Sequence, residues 1–150
     1  MSLAVPSRDD GRTVLAYHPH SNRNPYQGML YALCEASGLL PRRLDSLDGL
    51  AGLSPGRNGG RRTILHIHWT DSVLLDAPNR TEAERRLGEF AATLDEFLGT
   101  GGRLIWTVHN VLPHEARLPE LEAKVCQALA DRAAVVHVMC EETVAAAAPW

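Results

Sequence analysis

Thr63-Ile-Leu-His-Ile-His68 is an unbroken run of β-favouring, mostly apolar residues that stops at Trp69-Thr-Asp71. A run without the alternation of a half-solvated strand predicts a strand buried on both faces, as in a parallel sheet covered by helices on each side. Runs of the same kind flank it: Thr13-Val-Leu-Ala-Tyr17 upstream, then Arg103-Leu-Ile-Trp-Thr-Val108 and Ala134-Val-Val-His-Val-Met139 downstream, with a weaker strand near Pro41–Leu44. Between the runs the apolar period changes to that of a helix. Asn24 is placed to cap a helix with Pro25 at its first position; Tyr26, Leu30, Leu33 and Ser37 then share a face, and Gly38 closes the segment. Thr81-Glu-Ala-Glu84 reads as a capping box ahead of Ala83, Leu87, Phe90, Ala91, Leu94, Phe97 and Leu98, with Gly101-Gly102 as the stop. A third helix is expected over Pro119–Ala130, and a fourth begins near Glu141.

Strands alternating with helices predict an α/β fold: a Rossmann-like, doubly wound parallel sheet in three α/β/α layers, with right-handed crossovers. At 150 residues, 45% hydrophobic and 22% charged, residues 1–150 form a single domain. Residues 46–62, rich in Gly, Arg and Ser, read as a mobile surface loop.

The net charge of -3, with both signs interspersed, gives no reason to expect nucleic acid as a partner. Cys34, Cys126 and Cys140 are odd in number and widely spaced, which excludes a disulfide framework and points to a reducing, cytoplasmic setting. Residues 1–12 lack the apolar stretch of a signal peptide, and no window approaches the roughly 20 apolar residues of a membrane span. Membrane contact is therefore expected only as peripheral association, at the inner face of the plasma membrane, through Arg42, Arg43, Arg57, Arg61 and Arg62.

In a doubly wound sheet, ligands bind beyond the carboxyl ends of the strands. The runs from His18 to Tyr26, from His66 to Asp71 and from Thr107 to Glu115 all lie there, and with them His18, His20, His66, His68, His109 and His114. His66 and His68, two apart on a strand, share a face and would bring a zinc or iron ion within reach of His109. Asp71 and Glu115 are the only acidic residues nearby and H-E-x-x-H is absent, so polar crevice walls are the favoured reading and no metal is assigned. The first strand-to-helix turn carries neither G-x-G-x-x-G nor a Walker A sequence, and G-x-S-x-G is missing. The cysteines stand where helix packing or a helix start would put them. Asn24-Pro25 doubles as a generic helix start. Trp106, inside an apolar strand, belongs to the core; Trp69, just past one, is free to present its flat face to a sugar.

His66-Ile-His-Trp69, then Gly102-Arg-Leu-Ile-Trp-Thr-Val-His-Asn110, Pro113-His-Glu115, Ala130-Asp131 and Val135-Val-His-Val-Met-Cys-Glu141 together resemble the N-terminal half of a GT-B glycosyltransferase. The pattern is similar to the broad bacterial group around glycosyltransferase family four and covers nearly the whole chain in order. The first loop lacks the glycine pair many of those relatives use near the donor diphosphate, and Cys140 stands where Ser is common. The resemblance implies an acceptor-binding domain of an enzyme that transfers a hexosyl group from a nucleotide sugar to a saccharide or lipid-linked acceptor, as in polysaccharide biosynthesis. It implies no cofactor beyond the nucleotide-sugar co-substrate, which a C-terminal donor domain outside this chain would bind, so that the chain alone is expected to be inactive. By resemblance His109 is the catalytic residue. His18, Asn24, Tyr26, His68, Trp69, Asn110 and Glu141 are the substrate-binding candidates. The rival readings are a non-catalytic Rossmann-like binding domain and a histidine-rich metal hydrolase. The cleft face and the segment Val144–Trp150 are expected to leave apolar surface uncovered, favouring a homodimer.

Overall fold

The computed structural model describes residues 11–55, 57–110 and 117–147. Strands β1 (Thr13–His18), β2 (Leu39–Arg43), β3 (Thr63–Ile67), β4 (Arg103–Val108) and β5 (Val135–Val138) form one sheet in the order β2-β1-β3-β4-β5. Every pairing is parallel. Helices α1 (Pro25–Tyr31), α2 (Asp71–Leu74), α3 (Arg80–Gly99), α4 (Pro119–Ala130) and α5 (Glu141–Ala147) complete a Rossmann-like α/β architecture. The chain moves from β1 outward to β2 and then crosses back to β3 on the other side of β1, so the switch point of the fold lies between β1 and β3.

Residue parity along the strands divides the sheet into two faces. Ala16, Leu65, Ile67, Leu104, Trp106 and Val108 pack with Phe90, Leu94 and Phe97 of α3 and Leu121, Val125 and Leu129 of α4 in the main core. Leu15 packs with Tyr31 and Cys34 on the opposite face, flanked by Tyr17, Leu39 and Ile64. Trp106 is core, as its place in an apolar strand predicts. Glycine is required where α3 meets β4, because a Cβ on Gly102 would stand 2.4 Å from the Phe97 ring.

Four expectations need correction. The helix after Asn24 ends at Tyr31, and a separate 3₁₀ turn over Glu35–Ser37 leads to Gly38, whose φ of 77° only glycine adopts freely. Its buried side is Gln27, Tyr31 and Cys34, whereas Leu33 is 75% exposed. Polar satisfaction decides this: the Gln27 amide donates to the Pro19 carbonyl (2.8 Å) and accepts from the Ser21 N–H (2.8 Å), locking that side inward. Second, α3 begins two residues before the expected capping box would start it, with Asn79 as its cap, the Asn79 side chain accepting from the Glu82 N–H at 2.9 Å. Third, residues 46–62 are not simply a loop, because a 3₁₀ helix over Leu47–Leu53 buries Leu50 in the main core. Fourth, the five arginines do not make one patch. Arg42 and Arg43 end β2 at the carboxyl edge of the sheet, whereas the Arg62 carbonyl accepts from Val14 N–H at the amino edge.

Candidate active site

On the α1 face, β3 presents His66 and His68, β4 presents Thr107 and the strand-end His109, and β5 presents His137 opposite Thr107 in register. Tyr31, at the last turn of α1, reaches down onto them. Its hydroxyl hydrogen-bonds with His66 Nδ1 (2.8 Å) and with His68 Nε2 (2.6 Å). His66 Nε2 pairs with Thr107 Oγ1 at 2.8 Å, and Thr107 Oγ1 with His137 Nδ1 at 3.3 Å. At the other end His68 Nδ1 lies 3.2 Å from His109 Nε2. The result is one continuous line, His109–His68–Tyr31–His66–Thr107–His137, crossing three strands.

Its interior is dry: Tyr31, His66, His68 and Thr107 are all buried, while His109 is half-buried and His137 exposed. Burial, reinforced by neighbouring histidines, depresses His66 from 6.5 to about 4 and His68 from 6.5 to about 3. Burial and then His137 also lower His109. Burial raises the Tyr31 phenol well above its usual range. All of these groups are therefore neutral near pH 7. Both ring nitrogens of His66 and of His68 are occupied by hydrogen bonds, so the set is a polar chain rather than a convergence of lone pairs on a metal. Among the described residues no group of three His, Cys, Asp or Glu side chains is arranged to hold a metal ion.

At the carboxyl edge, Trp69 stacks on the His109 ring with centroids 4.5 Å apart and planes 17° from parallel. Tyr26 meets His109 edge-on at 5.1 Å, and its hydroxyl is buried without a hydrogen-bond partner among the described residues. Trp69 also lines a groove of about 320 Å³ at the switch point, together with His18, Asp45, Ser46, Arg86 and Glu89. The groove pairs an aromatic wall with a rim of charged and hydroxyl groups.

The sequence candidates thus separate. His68, His109, Tyr26 and Trp69 come together, and His18, whose Nδ1 pairs with the Leu44 carbonyl at 3.0 Å, shares the groove lining with Trp69. Asn24 spends its side chain on capping α1, accepting from Tyr26 N–H at 2.9 Å. Asn110 is exposed after β4, and Glu141 is exposed at the start of α5. His20 pairs with Asp45 at 3.3 Å, away from the histidine line; His114 and Glu115 lie outside the described residues. Burial raises the Cys126 thiol to about 12 and raises Cys34 as well, which suits packed thiols rather than nucleophiles. Sequence reasoning missed Tyr31, Thr107 and His137. Strand parity carried a signal for one of them, because Thr107 is a polar intrusion in an apolar run on the parity of His109, whereas His137 is placed by the register of β4 with β5.

Over 100 residues the chain is 32% identical to a GDP-mannose:glycolipid 4-beta-D-mannosyltransferase of Xanthomonas campestris pv. campestris. A strain of the same pathovar gives the same identity and coverage. The aligned part is 66% of this chain and 26% of the mannosyltransferase, so the match spans about a quarter of that relative's length. This supports a relationship to glycosyltransferases. No family model matches the chain, and no solved structure matches it at the level that marks a relative. Among the described residues no helix is long and apolar enough to cross a membrane.

Proposed function

We propose that this chain is the acceptor-side domain of a GT-B glycosyltransferase that moves a hexosyl group, mannose being the first candidate, from a nucleotide sugar to a glycolipid or other saccharide acceptor. The observation that carries the reading is the position of Trp69, whose indole both walls the switch-point groove and stacks on His109. An aromatic face with hydroxyl and carboxylate groups around it is the chemistry that grips a sugar ring, covering its C–H side while the polar rim meets its hydroxyls. His109, the one half-exposed histidine of the line, stacks on that indole outside the groove lining, so an attacking hydroxyl meets it at the indole's edge, where the ring is suited to accept the proton. The 32% match to a GDP-mannose:glycolipid mannosyltransferase supports the same donor and acceptor classes. In this reading the nucleotide is held by a facing domain, as the GT-B resemblance implies.

The test is a titration of the chain with a saccharide-bearing glycolipid in detergent, followed by tryptophan fluorescence, with the lipid lacking its sugar as the control. Saturable change that disappears in Trp69→Leu is the expected result. A response equal for both lipids, or one unaltered by Trp69→Leu, would remove the groove as the acceptor site.

A further inference from the structure

We propose that the line His109–His68–Tyr31–His66–Thr107–His137 is a proton relay that takes the acceptor hydroxyl's proton at His109 and delivers it to solvent at His137. The source of the proton rests on the glycosyltransfer reading; the relay itself rests on hydrogen-bond arithmetic. A neutral imidazole has one N–H and one acceptor nitrogen, and a phenol or alcohol has one O–H to give. Tyr31 touches Nδ1 of His66 and Nε2 of His68, so it donates to one and must accept from the other. If it donates to His66, then His66 carries its proton on Nε2 and His68 also carries its own on Nε2. If it donates to His68, both carry the proton on Nδ1. The two buried histidines are therefore forced into the same tautomer, and the constraint propagates outward. Through Thr107 Oγ1 it fixes His137, and through the ring-to-ring bond it fixes His109.

The line has two registers, each with every internal donor and acceptor paired. In the first, all four rings hold N–H at Nε2, and Nδ1 of His109 is unengaged among the described residues. During transfer the acceptor oxygen bonds to the anomeric carbon as that carbon's bond to the donor diphosphate breaks, the electron pair leaving with the diphosphate. The hydroxyl proton passes to His109 Nδ1. The His109 Nε2 proton moves to His68 Nδ1, and that of His68 Nε2 to Tyr31. The Tyr31 proton goes to His66 Nδ1, that of His66 Nε2 to Thr107, and that of Thr107 to His137 Nδ1. His137 then releases its Nε2 proton to water. No ring holds a net charge at the end and the second register is in place. Once the product has left, His137 Nε2 takes a proton from water and His109 Nδ1 gives its own to the water that replaces the acceptor, which restores the first register with one proton released to solvent per turnover. Burial, which keeps His66 and His68 from holding a cation, favours this concerted shift over a stored charge.

Two measurements test it. In the chain with ¹⁵N-labelled histidine, long-range ¹H–¹⁵N spectra at neutral pH should show His66 and His68 neutral and in the same tautomer, with His137 following them. Thr107→Val, which keeps the side chain's shape without its hydroxyl, should release His137 from that register. Opposite tautomers at His66 and His68, or a charged ring at either, would overturn the relay. In the enzyme, Thr107→Val should lower kcat by about tenfold or more at unchanged KM, part of the roughly 10²–10⁴-fold that proton transfer supplies. Thr107→Ser, which restores the hydroxyl and loses the methyl, should recover the rate. A kcat that follows the methyl instead of the hydroxyl would also overturn it. Parent protein that binds no saccharide yet shows the shared tautomer would sink the glycosyltransfer reading and leave the wire standing.

Discussion

His66 and His68 show how a residue's neighbours set its chemistry. On a strand at a sheet edge an imidazole titrates near 6.5; beneath Tyr31 and between two strands the same ring is driven to about 4 in His66 and about 3 in His68. The unfolded chain then binds protons on these rings at a higher pH than the folded chain does. Between 6.5 and these lowered values the unfolded state holds more protons, so stability falls as pH falls through that window. The loss is about 1.4 kcal/mol per ring for each unit of pH inside it. Urea midpoints measured from neutral pH down should decline accordingly, and substituting His68 with Gln should flatten the slope. A midpoint constant through this range would show that the rings are solvated.

At the level of the element, the start of α3 separates a sequence signature from the contact that operates. Thr81-Glu-Ala-Glu84 has the residues of a capping box, but the helix already includes Thr81, and Asn79 makes the cap. Asn79→Ala should therefore cost about 1 kcal/mol of stability, whereas Thr81→Ala, at an exposed position already inside the helix, should cost nothing and gain about a few tenths from the better helix propensity of Ala. Thermal melts of the two variants decide it, with the reverse order restoring the capping box. The same element shows what was legible. The spacing of Ala83, Phe90, Leu94 and Phe97 predicted which side of α3 enters the core, and those residues do so. In α1 that rule failed, because Gln27 and Tyr31 have polar partners inward and leave Leu33 outside. Hydrophobic periodicity ranks faces by transfer free energy, and a buried hydrogen-bond set outweighs it.

For the molecule as a whole, the described residues leave the sheet with two edge strands, β2 and β5. Strand β5 ends the order, and Val135, Val136 and Met139 around it are each more than 40% exposed. An apolar edge strand is a template for pairing with a second copy. The chain should self-associate with rising concentration in sedimentation, and Val136→Lys should weaken that association without lowering the melting temperature. A monomer throughout the range would show the edge to be inert.

The sequence by itself determined the parallel sheet, the positions of its strands and the gathering of histidines near their carboxyl ends, because these follow from local pattern and from the rule that strand ends form the crevice. The glycosyltransferase resemblance was likewise legible in His66-Ile-His-Trp69 and Thr107-Val-His-Asn110. Only the tertiary structure decided which histidines meet. His18 goes to the groove, His66 and His68 go beneath Tyr31, and His137, from the last strand, closes a line begun at His109. Strand order and register set those distances. They arise from pairings between segments 30 to 41 residues apart, which no local spacing encodes.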